Sequence, residues 1–193
     1  MPKQNILDPV RKPLASNGAG KKIVMIAVFR DFRDEEYFVP KEILEKAGAE
    51  VKTASNQKGT ALGADGGEVE VDLLISEINI ADFDAIVFIG GPGCLENLDN
   101  ENSYKVVQET VAQGKILASI CISAVILAKA GVLKGKKATV WSSPMDRGPV
   151  RILENNGAIY QDEPVVVDGK IITGNGPAAA REFGQAIVEL LTK

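Results

Sequence analysis

Cys121 lies where a predicted strand passes directly into a predicted helix, and this position makes its thiol the first candidate for a catalytic group. Residues 115–120 form a short apolar run typical of a buried strand, and 124–130 continue without Gly or Pro as a helical segment that Gly131 ends. A residue at such a corner is held in a sharp turn above the carboxyl edge of the sheet. Unpaired N–H groups and the helix dipole favour a thiolate there, so we expect a pKa below the usual value of about 8.5. The alternative is an inert core thiol.

The first candidate partner for this thiol is a carboxyl group. Glu36 begins the helix predicted after the first strand, from which its side chain can reach the sulfur across the sheet edge. Beside a thiolate the pKa of Glu36 would rise. Easy proton exchange between the two groups is what the addition of a thiol to a carbonyl requires. The alternative is a solvated acid that stabilises a helix N-terminus, as we expect of Asp34 and Glu35.

A glycine-rich loop, residues 90–93, supplies candidate backbone donors. The N–H groups of Gly90 and Gly91, together with that of Ile122, can hold a developing oxyanion. A tight turn that needs positive φ accounts for these glycines equally well. Cys94 follows the loop and is either a partner that resolves a sulfenic acid on Cys121 or a thiol without a role.

The absence of histidine restricts the chemistry more than any other property of the composition. The chain has 193 residues, no His, two Cys and a formal net charge of −4, so triads and dyads that use an imidazole and His-ligated metal sites are excluded. The cysteines have no zinc-ligand spacing, and we predict neither a metal nor a cofactor. The negative net charge argues against nucleic acid as a partner. No apolar run approaches the roughly 20 residues of a membrane span and no signal peptide is evident, so we expect a cytoplasmic protein.

Apolar segments alternate with amphipathic ones, which predicts an α/β fold: a doubly wound, mostly parallel sheet between helices. The predicted strands are residues 22–28, 50–55, 84–89, 115–120 and 137–141, and the predicted helices are 35–47, 102–113, 150–155 and 177–191. Two hairpins are predicted, at 60–71 and at 164–173. Residues 1–20 are expected to form an extended or flexible N-terminal arm outside a single domain of residues 21–193.

The position of the candidate residues follows from this fold. Ligands of parallel sheets bind at the carboxyl ends of the strands. Cys121, the glycine loop and Glu36 all follow such ends, so we expect the fold to bring them together.

Four segments together resemble the ThiJ/PfpI family: DFDAIVFIGGPG, ASICISA, EYFVP and IITGNGPAAAREFGQAIVELL. The resemblance covers roughly residues 22–191, in the order found in the family, which has the class I glutamine-amidotransferase-like, flavodoxin-like fold and includes the Parkinson-associated deglycase. It implies that Cys121 is a nucleophile-elbow cysteine, that Glu36 is its hydrogen-bonded acid partner, and that Gly90, Gly91 and Ile122 are the backbone donors. Relatives commonly form dimers or hexamers, which implies a homodimer or a higher homo-oligomer.

The chain departs from the family pattern at several positions. Members of the PfpI type follow the cysteine with a histidine, oriented by a glutamate of a neighbouring subunit; here Ile122 follows, and Glu96 stands where that glutamate would be. The deglycase-like branch has a histidine on the strand after the elbow helix, where this chain has Thr139, Val140 and Trp141. Trp141 is either a pocket wall or a residue of packing or a subunit contact. Asn175 replaces the family's arginine before Gly-Pro, which removes one anion contact.

These observations lead to hypotheses of two classes. The first is a cysteine-dependent enzyme, a glyoxalase-like or deglycase-like hydrolase or lyase, in which Cys121 and Glu36 act on small carbonyl compounds such as methylglyoxal or early glycation adducts. The second is a non-catalytic oxidative-stress or redox-sensing protein in which an oxidant converts Cys121 to a sulfinate beside Glu36. A peptidase or amidase ranks third because the chain has no imidazole.

Overall fold

The structure, a computed structural model, describes residues 19–193. The strands are β1 (Lys22–Ile26), β2 (Arg30–Phe32), β3 (Glu50–Ser55), β4 (Gly59–Gly63), β5 (Glu68–Val71), β6 (Leu73–Leu74), β7 (Ala85–Phe88), β8 (Ile116–Ile120), β9 (Lys137–Ala138), β10 (Ile159–Tyr160), β11 (Val165–Asp168) and β12 (Ile171–Gly174). The α-helices are α1 (Asp34–Lys46), α2 (Cys94–Leu98), α3 (Glu101–Ala112), α4 (Ala124–Lys129), α5 (Gly148–Asn155) and α6 (Ala180–Leu191). Short 3-10 helices cover Ile75–Glu77, Ile80–Asp82, Cys121–Ser123 and Pro177–Ala179.

A seven-stranded sheet in the order β11-β12-β8-β7-β1-β3-β6 forms the centre of the molecule. All neighbours in it pair in parallel except β11, which runs antiparallel to β12. Every residue of β7 and β8 is buried, because a parallel sheet covered on both faces has no solvated side. Helices flank it in two packed groups, α1 with α6 and α4 with α3 and α5. The predicted doubly wound α/β fold is confirmed.

The predicted hairpin at 60–71 forms a second, small sheet. β4 and β5 pair antiparallel, and β2 joins β4 in the loop that leads to α1. Asp34 accepts hydrogen bonds from the backbone N–H groups of Asp65 (2.8 Å) and Gly67 (2.6 Å) in the hairpin turn. The prediction that Asp34 is a solvated acid was therefore wrong, since its carboxylate binds the turn.

The strand predicted at 137–141 was partly wrong. Only Lys137–Ala138 is extended, and it pairs with β10 in a separate two-stranded sheet. The following backbone N–H groups bind elsewhere: that of Thr139 donates to Thr173 Oγ1 (2.9 Å) and that of Trp141 to the Cys121 carbonyl (3.3 Å). A five-residue segment that resembles a strand therefore does not by itself decide which partner its backbone takes.

Other predicted bounds shifted by a few residues. The closing helix begins as a 3-10 turn at Pro177 and becomes α-helical at Ala180. α2 was not predicted, because five residues are too few to show a helical period. Residues 1–18 of the predicted N-terminal arm lie outside the described residues. Among residues 19–193, no helix has the length and apolar character needed to cross a membrane.

Candidate active site

Cys121 occupies a strained corner between β8 and the helical segment that follows. Its φ is +64°, in the left-handed region that non-glycine residues seldom adopt. β8 ends at Ile120, a 3-10 turn begins at Cys121, and α4 continues from Ala124. The predicted sharp turn is therefore present, and it places Cys121, a residue that is 8% exposed, at the wall of a cavity.

Hydrogen bonds from three directions hold this corner. Ser123 Oγ accepts from the Ile120 N–H (3.2 Å) and lies 2.7 Å from the Ile120 carbonyl oxygen and 3.0 Å from that of Phe88. The Trp141 N–H donates to the Cys121 carbonyl at 3.3 Å. The corner is thus tied to its own strand, to the end of β7 and to the segment after β9. Such surroundings allow the chain to keep an unfavourable φ.

Glu36 lies in the first turn of α1 and is fully buried. Its Oε2 accepts the Gly90 N–H at 3.1 Å. The Cys121 thiol interacts with the same carboxyl group, although Oε1 has no partner of full hydrogen-bond geometry among the described residues. A Cβ added at Gly90 would lie 2.6 Å from Glu36 Oε2 and 2.7 Å from Cys121 Cβ. The two side chains therefore meet against Gly90, and Glu36 is not a solvated helix-end acid.

Burial decides the protonation of Glu36. It raises the pKa of the carboxyl from 4.5 to about 7, while the Cys121 thiol, the Gly90 N–H and the Arg33 charge oppose the rise. A carboxyl group with a pKa near neutrality can both take up and release a proton at working pH. Glu36 therefore has the properties of a general acid and base.

The prediction of an acidic thiol at Cys121 was wrong. Burial raises the pKa of Cys121 above its ordinary value, and the nearby Glu36 carboxylate raises it further, whereas the Ile122 backbone N–H lowers it. The expected helix end is only a 3-10 turn before the six-residue α4. Loss of water around the sulfur therefore outweighs the backbone dipoles, and the resting thiol is protonated.

A cavity of about 330 Å³ opens beside the sulfur. Its lining includes four of the predicted residues: Gly91, Cys121, Ile122 and Trp141. It also includes four residues outside the predicted site: Arg33, Pro92, Leu95 and Pro177. Arg33 could have been found, because it belongs to the same loop and helix start as Glu36. The other three are apolar residues without a chemical signature.

Gly90 and Gly91 have different functions in this arrangement. The N–H of Gly90 is engaged with Glu36, which corrects the expectation that it is free to hold an oxyanion. Gly91 lines the cavity with φ +124°, and a Cβ there would lie 2.5 Å from the Arg33 N and the Asp31 carbonyl oxygen. Only glycine fits so close to neighbouring backbone.

The remaining predicted residues lie away from the cavity lining. Glu96 is exposed on α2, and Asn175 is half-buried with its backbone N–H bound to the Pro164 carbonyl (2.9 Å). Cys94 is fully buried at the start of α2, and burial raises the pKa of its thiol. Within residues 19–193, His, Cys, Asp and Glu side chains nowhere form a group of three that could hold a metal ion.

Comparison with known proteins gives the family of this chain. The DJ-1/PfpI family model matches residues 21–190. The chain belongs to the DJ-1/PfpI family. An uncharacterised protein of Methanocaldococcus jannaschii is 40% identical over 178 residues, which are 92% of this chain and 85% of that protein. A protein of Pyrococcus horikoshii named a deglycase is 34% identical over 168 residues, 87% of this chain and 98% of that protein.

A solved structure supports the same assignment. The ThiJ/PfpI domain protein of Brachyspira murdochii has a TM-score of 0.84 and 36% identity, covering 89% of this chain and 98% of that one. The resemblance seen in the sequence is thus confirmed at the level of family and fold. This DJ-1/PfpI chain has no histidine, and the acidic side chain that interacts with Cys121 is that of Glu36.

Proposed function

We propose that this protein is a cysteine-dependent enzyme that acts on small reactive carbonyl compounds, as a glyoxalase or a deglycase. The observation that carries the proposal is the contact between the Cys121 thiol, which lines the cavity, and the buried Glu36 carboxyl behind it, whose pKa burial raises to about 7. A protonated thiol needs a base at the moment of attack, and a carboxyl of this pKa is suited to that task.

The names of relatives support the same class of reaction. Four archaeal proteins that are 33–36% identical to this chain are named deglycases. A Caenorhabditis elegans protein that is 25% identical over 173 residues is named a glutathione-independent glyoxalase. Both names describe chemistry on reactive carbonyl compounds, for which a nucleophilic thiol is a suitable catalyst.

In the first step the sulfur of Cys121 adds to the aldehyde carbon of methylglyoxal. Glu36, as the carboxylate, takes the thiol proton while the C–S bond forms and the π electrons of the carbonyl move to oxygen. The N–H groups of Gly91 and Ile122 stabilise that oxygen. Transfer of the proton from Glu36 to the oxygen completes a hemithioacetal.

In the second step Glu36 removes the proton from the former aldehyde carbon, and an enediolate forms. The hydroxyl proton on that carbon passes to the neighbouring oxygen. Return of a proton to the neighbouring carbon gives the lactate thioester of Cys121. Water then hydrolyses the thioester and releases lactate and the free thiol. The sum is methylglyoxal plus water giving lactate, with no oxidant or reductant consumed. Each proton transfer uses Glu36, the ionisable side chain beside the sulfur.

The test is turnover by the purified protein. Incubation with methylglyoxal should yield lactate, and Cys121→Ala should remove the activity to background, because no nucleophile is left at the cavity. Cys94→Ala is the matched control, since Cys94 is fully buried and does not line the cavity. Lactate formation by Cys121→Ala at the rate of the unmodified protein would refute the proposal.

A redox function is the second candidate, and one observation favours it. The buried Glu36 Oε1 lies beside Cys121 without a partner of full hydrogen-bond geometry among the described residues. As a neutral acid it can donate to an oxygen of a sulfinate at Cys121. The raised pKa of the thiol opposes this function, because oxidation proceeds through the thiolate. Intact-mass measurement after mild peroxide treatment separates the two, since a redox function requires oxygen addition confined to Cys121.

A further inference from the structure

The cavity beside Cys121 combines apolar walls with one permanent charge. Leu95, Ile122, Trp141 and two prolines supply the walls. Arg33 is the one lining residue, within the described part of the chain, that is charged at every working pH. Methylglyoxal is neutral and has no anionic group that could pair with this charge. The lining therefore suits a substrate with an anionic group.

The backbone of Arg33 is positioned beside the glycine loop. Its N–H donates to the Gly90 carbonyl at 3.1 Å, and Gly91 packs directly against the same nitrogen. Gly90 also binds Glu36 through its own N–H. Arg33 and the catalytic pair are thus attached to the same short loop.

One ion pair engages the guanidinium of Arg33 and leaves most of its N–H donors available for a ligand. Its Nη1 donates to Asp65 Oδ2 at 3.2 Å, and the Arg33 side chain is 34% exposed. Asp65 is 60% exposed, so the ion pair lies in high dielectric and contributes little attraction. A guanidinium has five N–H donors in a planar fork, and the contact to Asp65 uses one of them. The remaining donors can bind a carboxylate through two parallel hydrogen bonds.

The charge of Arg33 also reaches the reacting groups. It favours the ionised form of Glu36 and so lowers the pKa of that carboxyl. Arg33 and Cys121 line the same cavity, so a small molecule bound at the sulfur lies near the guanidinium.

We propose that Arg33 makes this site selective for small carbonyl compounds that carry a carboxylate close to the aldehyde or ketone carbon. The proposal rests on the proposed function, because it names the substrate class for the same cysteine. The carboxylate pairs with the Arg33 fork, the apolar walls exclude water from the remainder of the molecule, and the carbonyl carbon meets the sulfur. Arg33 is then a specificity-determining residue.

The experiment compares two alkylating agents of nearly equal size that differ in charge. Iodoacetate carries a carboxylate and iodoacetamide does not, and both alkylate a thiol without any enzymatic turnover. The rates at Cys121, followed by intact mass and localised by peptide mapping, give an iodoacetate-to-iodoacetamide ratio. Division by the same ratio for N-acetylcysteine at the same pH removes the intrinsic difference between the reagents.

We expect a normalised ratio of about 10, which corresponds to the usual free energy of one charge-assisted hydrogen bond. Arg33→Gln should return it to about one, and Arg33→Lys should retain part of the preference, because lysine keeps the charge but not the fork. Asp65→Asn should raise the ratio, since it releases the guanidinium from its carboxylate. Arg151→Gln is the matched control, because Arg151 is exposed on α5 and does not line the cavity.

Equal ratios in the unmodified protein and in Arg33→Gln would overturn the proposal. The Asp65→Asn variant gives an independent test if Arg33→Gln does not fold, and a ratio that stays the same or falls in it also counts against the proposal. The measurement does not depend on lactate formation. Failure of the proposed function therefore appears as absent turnover, and failure of the Arg33 proposal appears as an unchanged alkylation ratio.

Discussion

At the scale of single residues, Cys121 and Glu36 have to be considered as one unit. Burial raises the pKa of both groups, and the carboxyl loses its proton first, with a pKa of about 7. In the proposed reaction the thiol is therefore deprotonated during attack by a neighbouring base, and not in advance by backbone dipoles. A chain without histidine can carry out thiol chemistry in this way as long as burial keeps the pKa of Glu36 near neutrality.

The dependence of Cys121 alkylation on pH tests this unit. With iodoacetamide, the rate should rise through about pH 7 as Glu36 becomes the carboxylate that accepts the thiol proton. Glu36→Gln should remove this inflection and slow alkylation at pH 8 by about 10- to 100-fold. Glu96→Gln, at an exposed position on α2, should leave the profile as it is. A profile unaffected by Glu36→Gln would show that Glu36 is not the base.

At the scale of elements, the glycine loop after β7 joins the parts of the site. Gly90 binds Glu36 of α1 through its N–H and Arg33 through its carbonyl, and it packs against Cys121 after β8. Neither α1 nor β8 alone determines the distance between acid and sulfur. The loop does, because it has no side chain at the point where the three segments meet.

Gly90→Ala tests the function of the loop. The added Cβ would lie 2.6 Å from Glu36 Oε2 and 2.9 Å from the Ile120 carbonyl oxygen, so the carboxyl or the backbone has to move. We expect a loss of about 1–3 kcal/mol in unfolding free energy and at least a tenfold lower lactate formation, which corresponds to about 1.4 kcal/mol. Denaturant unfolding and the methylglyoxal assay measure the two effects.

Gly131→Ala provides the control for this variant. Gly131 has φ +83° and open space around its Cβ position, so alanine there destabilises the fold by about 1–2 kcal/mol through backbone strain alone. It should leave the activity of the folded protein unchanged. If Gly131→Ala lowered the activity of the folded protein as much as Gly90→Ala, general destabilisation would explain both results.

At the scale of the whole molecule, the buried carboxyl of Glu36 couples stability to pH. Its folded pKa of about 7 exceeds its ordinary value of 4.5, so the folded state binds the proton more tightly than the unfolded state. This contribution is fully present below pH 4.5 and is lost as the pH rises through 7. The carboxyls of Glu77, which is exposed, and Asp168, which is half-buried, have lowered pKa values and act in the opposite direction, below pH 4.5.

Unfolding in urea at pH 5 and at pH 8 measures this coupling. The unmodified protein should lose about 2–3 kcal/mol of unfolding free energy between these values through Glu36. Glu36→Gln should lose correspondingly less, because its amide does not titrate. An equal change in both proteins would contradict the raised pKa of Glu36.

The expectations of a homo-oligomer and of a cytoplasmic location stay predictions.

Some features of the protein were determined by the sequence alone because they follow from local patterns. Alternating apolar and amphipathic segments predict the doubly wound fold, and an uninterrupted run through Cys121 predicts a strand that turns into a helix. The absence of histidine excludes imidazole chemistry at once. The sequence did not determine where each strand ends. After Ala138, for example, the backbone N–H groups donate to Thr173 and Cys121 in place of a strand partner.

Only the tertiary structure decided the chemical state of the site, because that state depends on distances between residues far apart in the chain. Glu36 and Gly90 are separated by 54 positions and meet through one hydrogen bond. Their contact takes Gly90 away from oxyanion binding, and the surrounding core removes water from Glu36 and Cys121. Desolvation is a property of the packed molecule, so no local pattern could show that burial raises the pKa of Cys121.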